Sequence, residues 1–332
     1  MILHPAVLSL LIGSLLTCFM LLLALVNGVR ILVGWDMGSG SERQLALERR
    51  TYLVSTILSY VMSFQLISLF LFIFTADRLH SLFSGAMCAA GTLNANGFGY
   101  PLLILKVVNF LLAGVWLILN HADTRGFDYP LIRVKYVLLV AIVPLVFLET
   151  FFFCSYFLGL HADIITSCCG SLFSPEKEGV ASELASLPSG PTEAAFFSVM
   201  ATTFIAGLYF CRKGKGGYVF SALSFASFLI ACASLISFIC LYYYELPTHH
   251  CPFCILQKEY GFIGYILYIT LLGGAVTGLG TGALQFARRK KSLRLVVPTL
   301  QKRLATATIV LYLAFTLLVS CRMIFANLTL RG

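Results

Sequence analysis

The feature that most constrains this chain is a series of long apolar runs that recur from one end to the other. As a helix, a run of about 20 apolar residues crosses the hydrocarbon core of a bilayer. Apolar residues make up 59% of the 332 residues and charged residues only 11%. The sequence therefore predicts an all-α polytopic membrane protein, a helix bundle with about eight transmembrane helices. The predicted spans are 6–29, 52–75, 101–120, 134–159, 194–211, 218–243, 254–285 and 304–325.

The distribution of basic residues predicts the orientation of these spans. The net charge is +9, but the basic residues cluster in the loops after helices one, three, five and seven. This pattern is typical of topology signals and not of a nucleic-acid groove, so the expected environment is a lipid bilayer without nucleic acid. The positive-inside rule places these loops in the cytoplasm and both termini on the extracytoplasmic side. The basic loop residues are Arg30, Arg43, Arg49, Arg50, Arg125, Arg133, Lys135, Arg212, Lys213, Lys215, Arg288, Arg289, Lys290, Lys291, Arg294, Lys302 and Arg303.

The same orientation places the loops after helices two, four and six outside, and these loops contain cysteine. Cys88 follows helix two, the adjacent pair Cys168–Cys169 follows helix four, and Cys251 with Cys254 follows helix six. In a bacterial inner (plasma) membrane that side is the oxidising one. We therefore expect an integral protein of that membrane, with its cysteine loops facing the periplasm.

The strongest local motif is His249-His250-Cys251-Pro252-Phe253-Cys254-Ile255-Leu256-Gln257-Lys258. A proline suits the first helical position, so this Cys-x-x-Cys is predicted to open helix seven. Cys251 then lies near the N-cap and Cys254 in the first turn, where the positive end of the helix dipole lowers a thiol pKa. Lys258 is predicted one turn deeper on the same stripe of the helix.

A Cys-x-x-Cys admits three interpretations: a redox pair, half of a metal site, or a structural crosslink. A structural zinc site normally has a second pair at short spacing, whereas the next outward cysteines are the distant Cys168–Cys169 pair. A purely structural crosslink does not explain why the polar residues Gln257 and Lys258 follow the motif so closely. The redox interpretation is therefore favoured. A disulfide between adjacent cysteines is strained, so one of Cys168 and Cys169 is expected to exchange with Cys251 or Cys254.

These residues carry a resemblance to two known families. Cys251-Pro252-Phe253-Cys254-Ile255-Leu256-Gln257-Lys258 resembles the Cys-x-x-Cys-x-x-(Gln/Glu)-Arg signature of the DsbB family of quinone-coupled disulfide-forming proteins. The order from helix four onward is similar to the vitamin K epoxide reductase family. In both, a span leads to an outward loop with a cysteine pair, then two spans, then a Cys-x-x-Cys opening a fourth. The resemblance covers roughly residues 134–285.

The resemblance implies a role for each matching position. Cys251 and Cys254 correspond to the quinone-proximal redox pair, and Cys168 or Cys169 to the shuttle that exchanges with a separate thioredoxin-like extracytoplasmic protein. Gln257 and Lys258 fall on the quinone side, as cofactor-binding residues. This chain departs from the families in three ways: lysine replaces the motif's arginine, the shuttle cysteines are adjacent, and the first three spans with Cys88 have no counterpart.

The predicted function is a membrane thiol–disulfide oxidoreductase that passes electrons between extracytoplasmic cysteine pairs and the quinone pool, ubiquinone or menaquinone, without a metal. This interpretation predicts that Cys88 is dispensable for electron transfer. The alternative is a non-enzymatic metal-handling membrane protein or transporter for copper, mercury or zinc. Its ligands are drawn from Cys88, Cys168, Cys169, His249, His250, Cys251 and Cys254.

The chain is predicted to divide into two regions. Residues 1–133 form an N-terminal three-span region with the Cys88 loop. Residues 134–332 form a five-span region with a four-helix redox-like bundle and a final helix.

Three further patterns lie within or at the ends of the spans. Lys106, Asn109 and Glu149 are expected to pair or to line a cavity, although a lysine can also snorkel outward. Gly274, Gly278 and Gly282 recur every four residues, a spacing that favours close helix packing. The run Tyr242-Tyr243-Tyr244 is typical of an interfacial aromatic belt.

Overall fold

The computed structural model describes residues 4–35, 41–126, 128–161, 165–166 and 180–328. Those residues contain no β-strand, and eight of their helices are long and apolar enough to cross a membrane. This confirms the predicted all-α polytopic membrane protein. The eight are α1 (Pro5–Gly34), α2 (Glu42–Leu79), α3 (Gly99–Asp123), α4 (Ile132–Leu158), α5 (Ser189–Lys213), α6 (Gly217–Tyr244), α7 (Ile263–Ala283) and α8 (Val296–Phe325).

The described chain forms two compact units, each built from segments that are discontinuous in sequence. The first unit comprises Met1–Thr75, Asn96–Leu160 and Ala283–Leu300. The second unit comprises Ala76–Ala95, His161–Gly282 and Gln301–Gly332. The division into 1–133 and 134–332, like the orientation in the membrane, stays a prediction.

In the first unit, α4 packs against both α1 and α3. Large apolar side chains from these helices are buried at the contact, among them Ile31, Trp116 and Leu139. Burying a large apolar side chain contributes about 1.5–3 kcal/mol in an aqueous reference. Because a bilayer is itself apolar, packing and polar contacts must carry more of the association between these helices.

One polar contact in the first unit is a buried ion pair between α3 and α4. Lys106 Nζ lies 2.7 Å from Glu149 Oε1, and both side chains are buried. The second carboxylate oxygen accepts hydrogen bonds from Asn109 Nδ2 at 2.6 Å and from Gln65 Nε2 in α2. Lys106 Nζ also donates to Ser68 Oγ at 3.3 Å. The predicted pairing is confirmed, and the burial of Lys106 rules out snorkelling.

A second buried ion pair joins the end of α3 to the start of α4. Lys135 Nζ lies 2.7 Å from Asp123 Oδ2 and donates to Ser55 Oγ at 3.0 Å and Asn120 Oδ1 at 3.1 Å. Asp123 Oδ1 accepts the Leu131 N–H at 2.7 Å. The sequence prediction that Lys135 is a loop residue is wrong, because α4 already begins at Ile132 and buries the side chain.

In the second unit, the glycine seam of α7 faces two neighbouring helices. A Cβ atom at Gly274 would overlap the Tyr312 ring of α8. Cβ atoms at Gly278 and Gly282 would overlap Ser224 and Ser221 of α6. The predicted close packing along this seam is therefore confirmed, since only glycine leaves room for these neighbours.

Candidate functional site

The Cys-x-x-Cys motif precedes α7 and does not open it. Cys254–Leu256 is a short 3₁₀-helix, Gln257 is extended, and Lys258–Tyr260 is a second 3₁₀-helix. Gly261 and Phe262 then adopt left-handed backbone conformations, with φ of 62° and 57°, before α7 begins at Ile263. The predicted start of span seven at residue 254 is wrong, because these two residues turn the chain before the long helix starts. The predicted activation of Cys251 and Cys254 by the dipole of that helix is wrong for the same reason.

Three sulfur atoms come together at this segment. Cys88 Sγ lies 3.5 Å from Cys251 Sγ, and Cys254 Sγ joins them so that all three lie within 4.8 Å of one another. All three residues are buried. We call this group the three-sulfur cluster. A disulfide bond measures about 2.05 Å, so Cys88 and Cys251 are in contact but not bonded to each other.

The segment that carries Cys88 is held beside the Cys-x-x-Cys segment by Gln257. Its Nε2 donates to Met87 O at 2.8 Å and to Asp77 Oδ1 at 3.3 Å. The same Asp77 oxygen accepts the Ala89 N–H at 3.2 Å. Gln257 and Asp77 therefore fix the backbone on both sides of Cys88. A cofactor-binding role for Gln257 stays a prediction.

Two tyrosine hydroxyls hold the Cys-x-x-Cys turn. Tyr244 donates to Cys251 O and accepts the Ile255 N–H at 2.8 Å, so its hydroxyl closes the turn around the motif. Tyr268 in α7 donates to Pro252 O. Sequence reasoning missed this role of Tyr244, because a tyrosine at the end of a span has the same appearance as an interfacial belt residue. Asp77 was missed as well, since an isolated aspartate after an apolar run gives no signal.

The two histidines before the motif pack around it without joining the cluster. The His249 ring lies edge-on to the Tyr244 ring with centroids 4.6 Å apart, and burial lowers the pKa of its imidazole. His250 Nδ1 hydrogen-bonds to Ile236 O at 2.8 Å, in the π-helical segment Leu235–Ile239 of α6. In the part of the chain that the structure describes, the possible metal ligands that converge are Cys88, Cys251 and Cys254.

The remaining predicted site residues are not part of this constellation. Lys258 is exposed on the short helix before α7, so its predicted position deeper along helix seven is wrong. Its role in quinone binding stays a prediction. Cys168 and Cys169 lie outside the described residues, and their shuttle role also stays a prediction. Thr166, two residues before Cys168, donates its N–H to Ser84 O at 3.0 Å.

A buried group of three sulfurs from two distant segments supports two kinds of chemistry. Contacting sulfurs can exchange disulfide bonds, and converging sulfurs can hold a soft metal ion. Comparisons of the chain with models of protein families, with curated protein sequences and with solved structures found no match in any of the three. The functional conclusion therefore rests on the geometry of the site.

Proposed function

We propose that this protein is a membrane thiol–disulfide oxidoreductase that passes electrons between an extracytoplasmic thiol protein and a lipid-soluble quinone. The observation that carries the proposal is the three-sulfur cluster, with Cys88 Sγ only 3.5 Å from Cys251 Sγ. Disulfide exchange requires the attacking sulfur to reach the sulfur of the disulfide that it breaks. A contact at this distance meets that requirement with a small movement.

The proposed internal step conserves electrons. Starting from a Cys251–Cys254 disulfide, the Cys88 thiolate attacks Cys251 Sγ. The Cys88–Cys251 bond forms, the Cys251–Cys254 bond breaks, and Cys254 leaves as a thiolate. This step gives Cys88 a function that the sequence interpretation did not.

The overall reaction is an exchange of two electrons and two protons. A thioredoxin-like dithiol partner becomes a disulfide, and the quinone, ubiquinone or menaquinone, becomes a quinol. The quinone supplies the two-electron chemistry, while this chain holds the sulfurs in contact. Cys168 and Cys169 are proposed to receive the partner's thiols. The backbone hydrogen bond from Thr166 N–H to Ser84 O supports this assignment. It ties the chain just before Cys168 to the segment that leads to Cys88.

The experiment is a thiol titration of purified, reduced, metal-free protein in lipid nanodiscs, before and after addition of a short-chain quinone. We expect two thiols lost for each quinone reduced. The Cys251→Ser variant should lose this reaction, whereas the matched control Cys321→Ser, at an exposed cysteine in α8, should retain it. Wild-type protein whose thiols are unchanged by quinone would contradict the proposal.

A further inference from the structure

We infer that the three-sulfur cluster, in its reduced state, binds one Cu(I) ion. The possible ligands are Cys88, Cys251 and Cys254, whose sulfur atoms lie within 4.8 Å of one another. Cysteine sulfur is a soft ligand and favours soft ions such as Cu(I). The inference rests on the proposed function in one respect only: it takes the reduced cluster to be one state of a redox cycle.

The spacing of the sulfurs fits an ion at their centre. Three sulfurs bonded to one ion in a plane, at about 2.3 Å each, lie about 4 Å from one another. The Cys88–Cys251 distance of 3.5 Å and the outer limit of 4.8 Å bracket that value. Small side-chain shifts are therefore enough to complete the site, and the ion does not have to gather ligands from separate places.

The number and the burial of the ligands favour Cu(I) over zinc. Structural zinc is almost always four-coordinate, and a zinc ion with three protein ligands usually completes its shell with water. Cys88 and Cys251 are 0% exposed and Cys254 is 5% exposed, so water has little access to the cluster. Cu(I) is satisfied by two or three sulfurs. Within the described residues neither His249 nor His250 supplies a fourth ligand to the group.

The contacts around the cluster prepare it for an ion. Gln257 ties the Cys88 segment to the Cys-x-x-Cys segment, and the Tyr244 hydroxyl fixes the turn between Cys251 and Ile255. Both residues act on the backbone and leave the sulfurs to react. Fixing the ligands before the ion arrives reduces the ordering cost of binding.

Metal binding and disulfide formation use the same sulfurs, so each excludes the other. A disulfide between any two of the three cysteines leaves one sulfur for the ion. Conversely, bound Cu(I) holds the sulfurs that would attack. Each thiol that binds as a thiolate releases one proton, and binding therefore strengthens as pH rises. Cu(I) is thus an inhibitor of the proposed electron transfer.

The test is an anaerobic titration of the full chain in nanodiscs, reduced with a phosphine and freed of excess reductant. Cu(I) is added in competition with a chromophoric Cu(I) chelator. We expect one Cu(I) per chain to be withheld from the chelator. Cys88→Ser should lower the affinity for Cu(I) at least tenfold, while Cys321→Ser should leave the affinity unchanged. Equal retention by wild type and Cys88→Ser would overturn the inference.

A second measurement keeps the test independent of whether the variants fold. X-ray absorption at the copper edge of the wild-type complex should show three sulfur neighbours. A shell dominated by nitrogen or oxygen would overturn the inference.

The two proposals fail separately. Quinone-dependent thiol loss is measured on metal-free protein, and Cu(I) retention is measured without quinone. Electron transfer without Cu(I) retention would defeat only the metal site. Cu(I) retention without electron transfer would defeat only the redox function.

Discussion

The two units bury polar groups of different kinds: the first buries opposite charges that pair with each other, and the second buries three thiols side by side. In the first unit, Lys106 and Glu149 are complementary charges, and hydrogen-bond donors from Asn109 and Gln65 surround the carboxylate. In the second unit, the three-sulfur cluster gathers groups of one chemical kind. Thiols are weak hydrogen-bond partners and gain little from one another.

The difference separates a group that holds helices from a group that reacts. A buried ion pair is costly to break, because the remaining partner is left as an uncompensated charge. Substituting one of the three cysteines should lower the free energy of unfolding less than breaking the ion pair does. Disulfide exchange and metal binding, in contrast, depend on each of the three sulfurs. Substitutions in the two units should therefore affect different measurements.

The largest expected effect is on activity, at the sulfurs. Cys254→Ser should reduce quinone-dependent thiol oxidation to the background rate, because the pair that receives the electrons is lost. Its free energy of unfolding should fall by about 1–3 kcal/mol, the cost of burying a hydroxyl without a strong hydrogen-bond partner. Initial rates of quinone reduction and unfolding in mixed micelles measure the two quantities. A Cys254→Ser variant that keeps half of the wild-type rate would show that electron transfer does not depend on this sulfur.

The next effect is on stability, at the ion pair. Lys106→Met should lower the free energy of unfolding by about 3–5 kcal/mol, because the Glu149 carboxylate is left buried without its cation. The double variant Lys106→Met/Glu149→Gln should recover most of this loss, since no charge remains and the amide oxygen still accepts hydrogen bonds. A double variant as unstable as the single one would show that the charge is not the cause.

A smaller effect is expected where a polar side chain serves the sulfurs. Gln257→Leu removes the bonds to Met87 and Asp77 and should slow exchange between Cys88 and Cys251 about tenfold, the equivalent of about 1.4 kcal/mol. The neighbouring Lys258→Met should leave that exchange unchanged and instead raise the quinone KM, because Lys258 is the residue predicted to lie on the quinone side. The exchange is followed by trapping thiols with a mass-labelled reagent at successive times. Equal effects of the two substitutions would remove the positioning role of Gln257.

The smallest effect is on stability, at an ion pair that is only partly buried. Arg322 and Glu245 in the second unit form a pair at 3.0 Å in which each side chain is about one-third exposed. Glu245→Gln should cost about 1 kcal/mol, because it removes only the charge of a partly exposed pair that solvent already screens. Unfolding of this variant in the same micelles provides the reference for Lys106→Met. A loss as large as that of Lys106→Met would show that burial is not what sets the cost.

The spans and the Lys106–Glu149 pair were accessible to sequence reasoning for a simple reason. Long apolar runs determine where helices cross a membrane, and a charged residue within such a run needs a partner. Boundaries were less accessible. Lys135 has the composition of a loop residue and lies inside α4, and the left-handed Gly261 and Phe262 delay α7 beyond the motif.

The composition of the site was accessible only in part. The motif singled out Cys251 and Cys254, but Cys88 lies 163 residues from Cys251, and no local pattern predicts a contact at that separation. The contributions of Asp77 and Tyr244 also arise from tertiary contacts with the backbone. Without an indication of which loops meet, Cys88 remained a candidate for a metal site alone.

The central claim is that Cys88 and Cys251 can bond directly to one another. It is tested most directly by oxidising the Cys254→Ser variant and mapping its disulfides by mass spectrometry after proteolysis. We predict that the main product is a Cys88–Cys251 crosslinked peptide, because the two sulfurs already lie 3.5 Å apart. Recovery of Cys251 as a free thiol, or bonded mainly to another cysteine, would contradict the account.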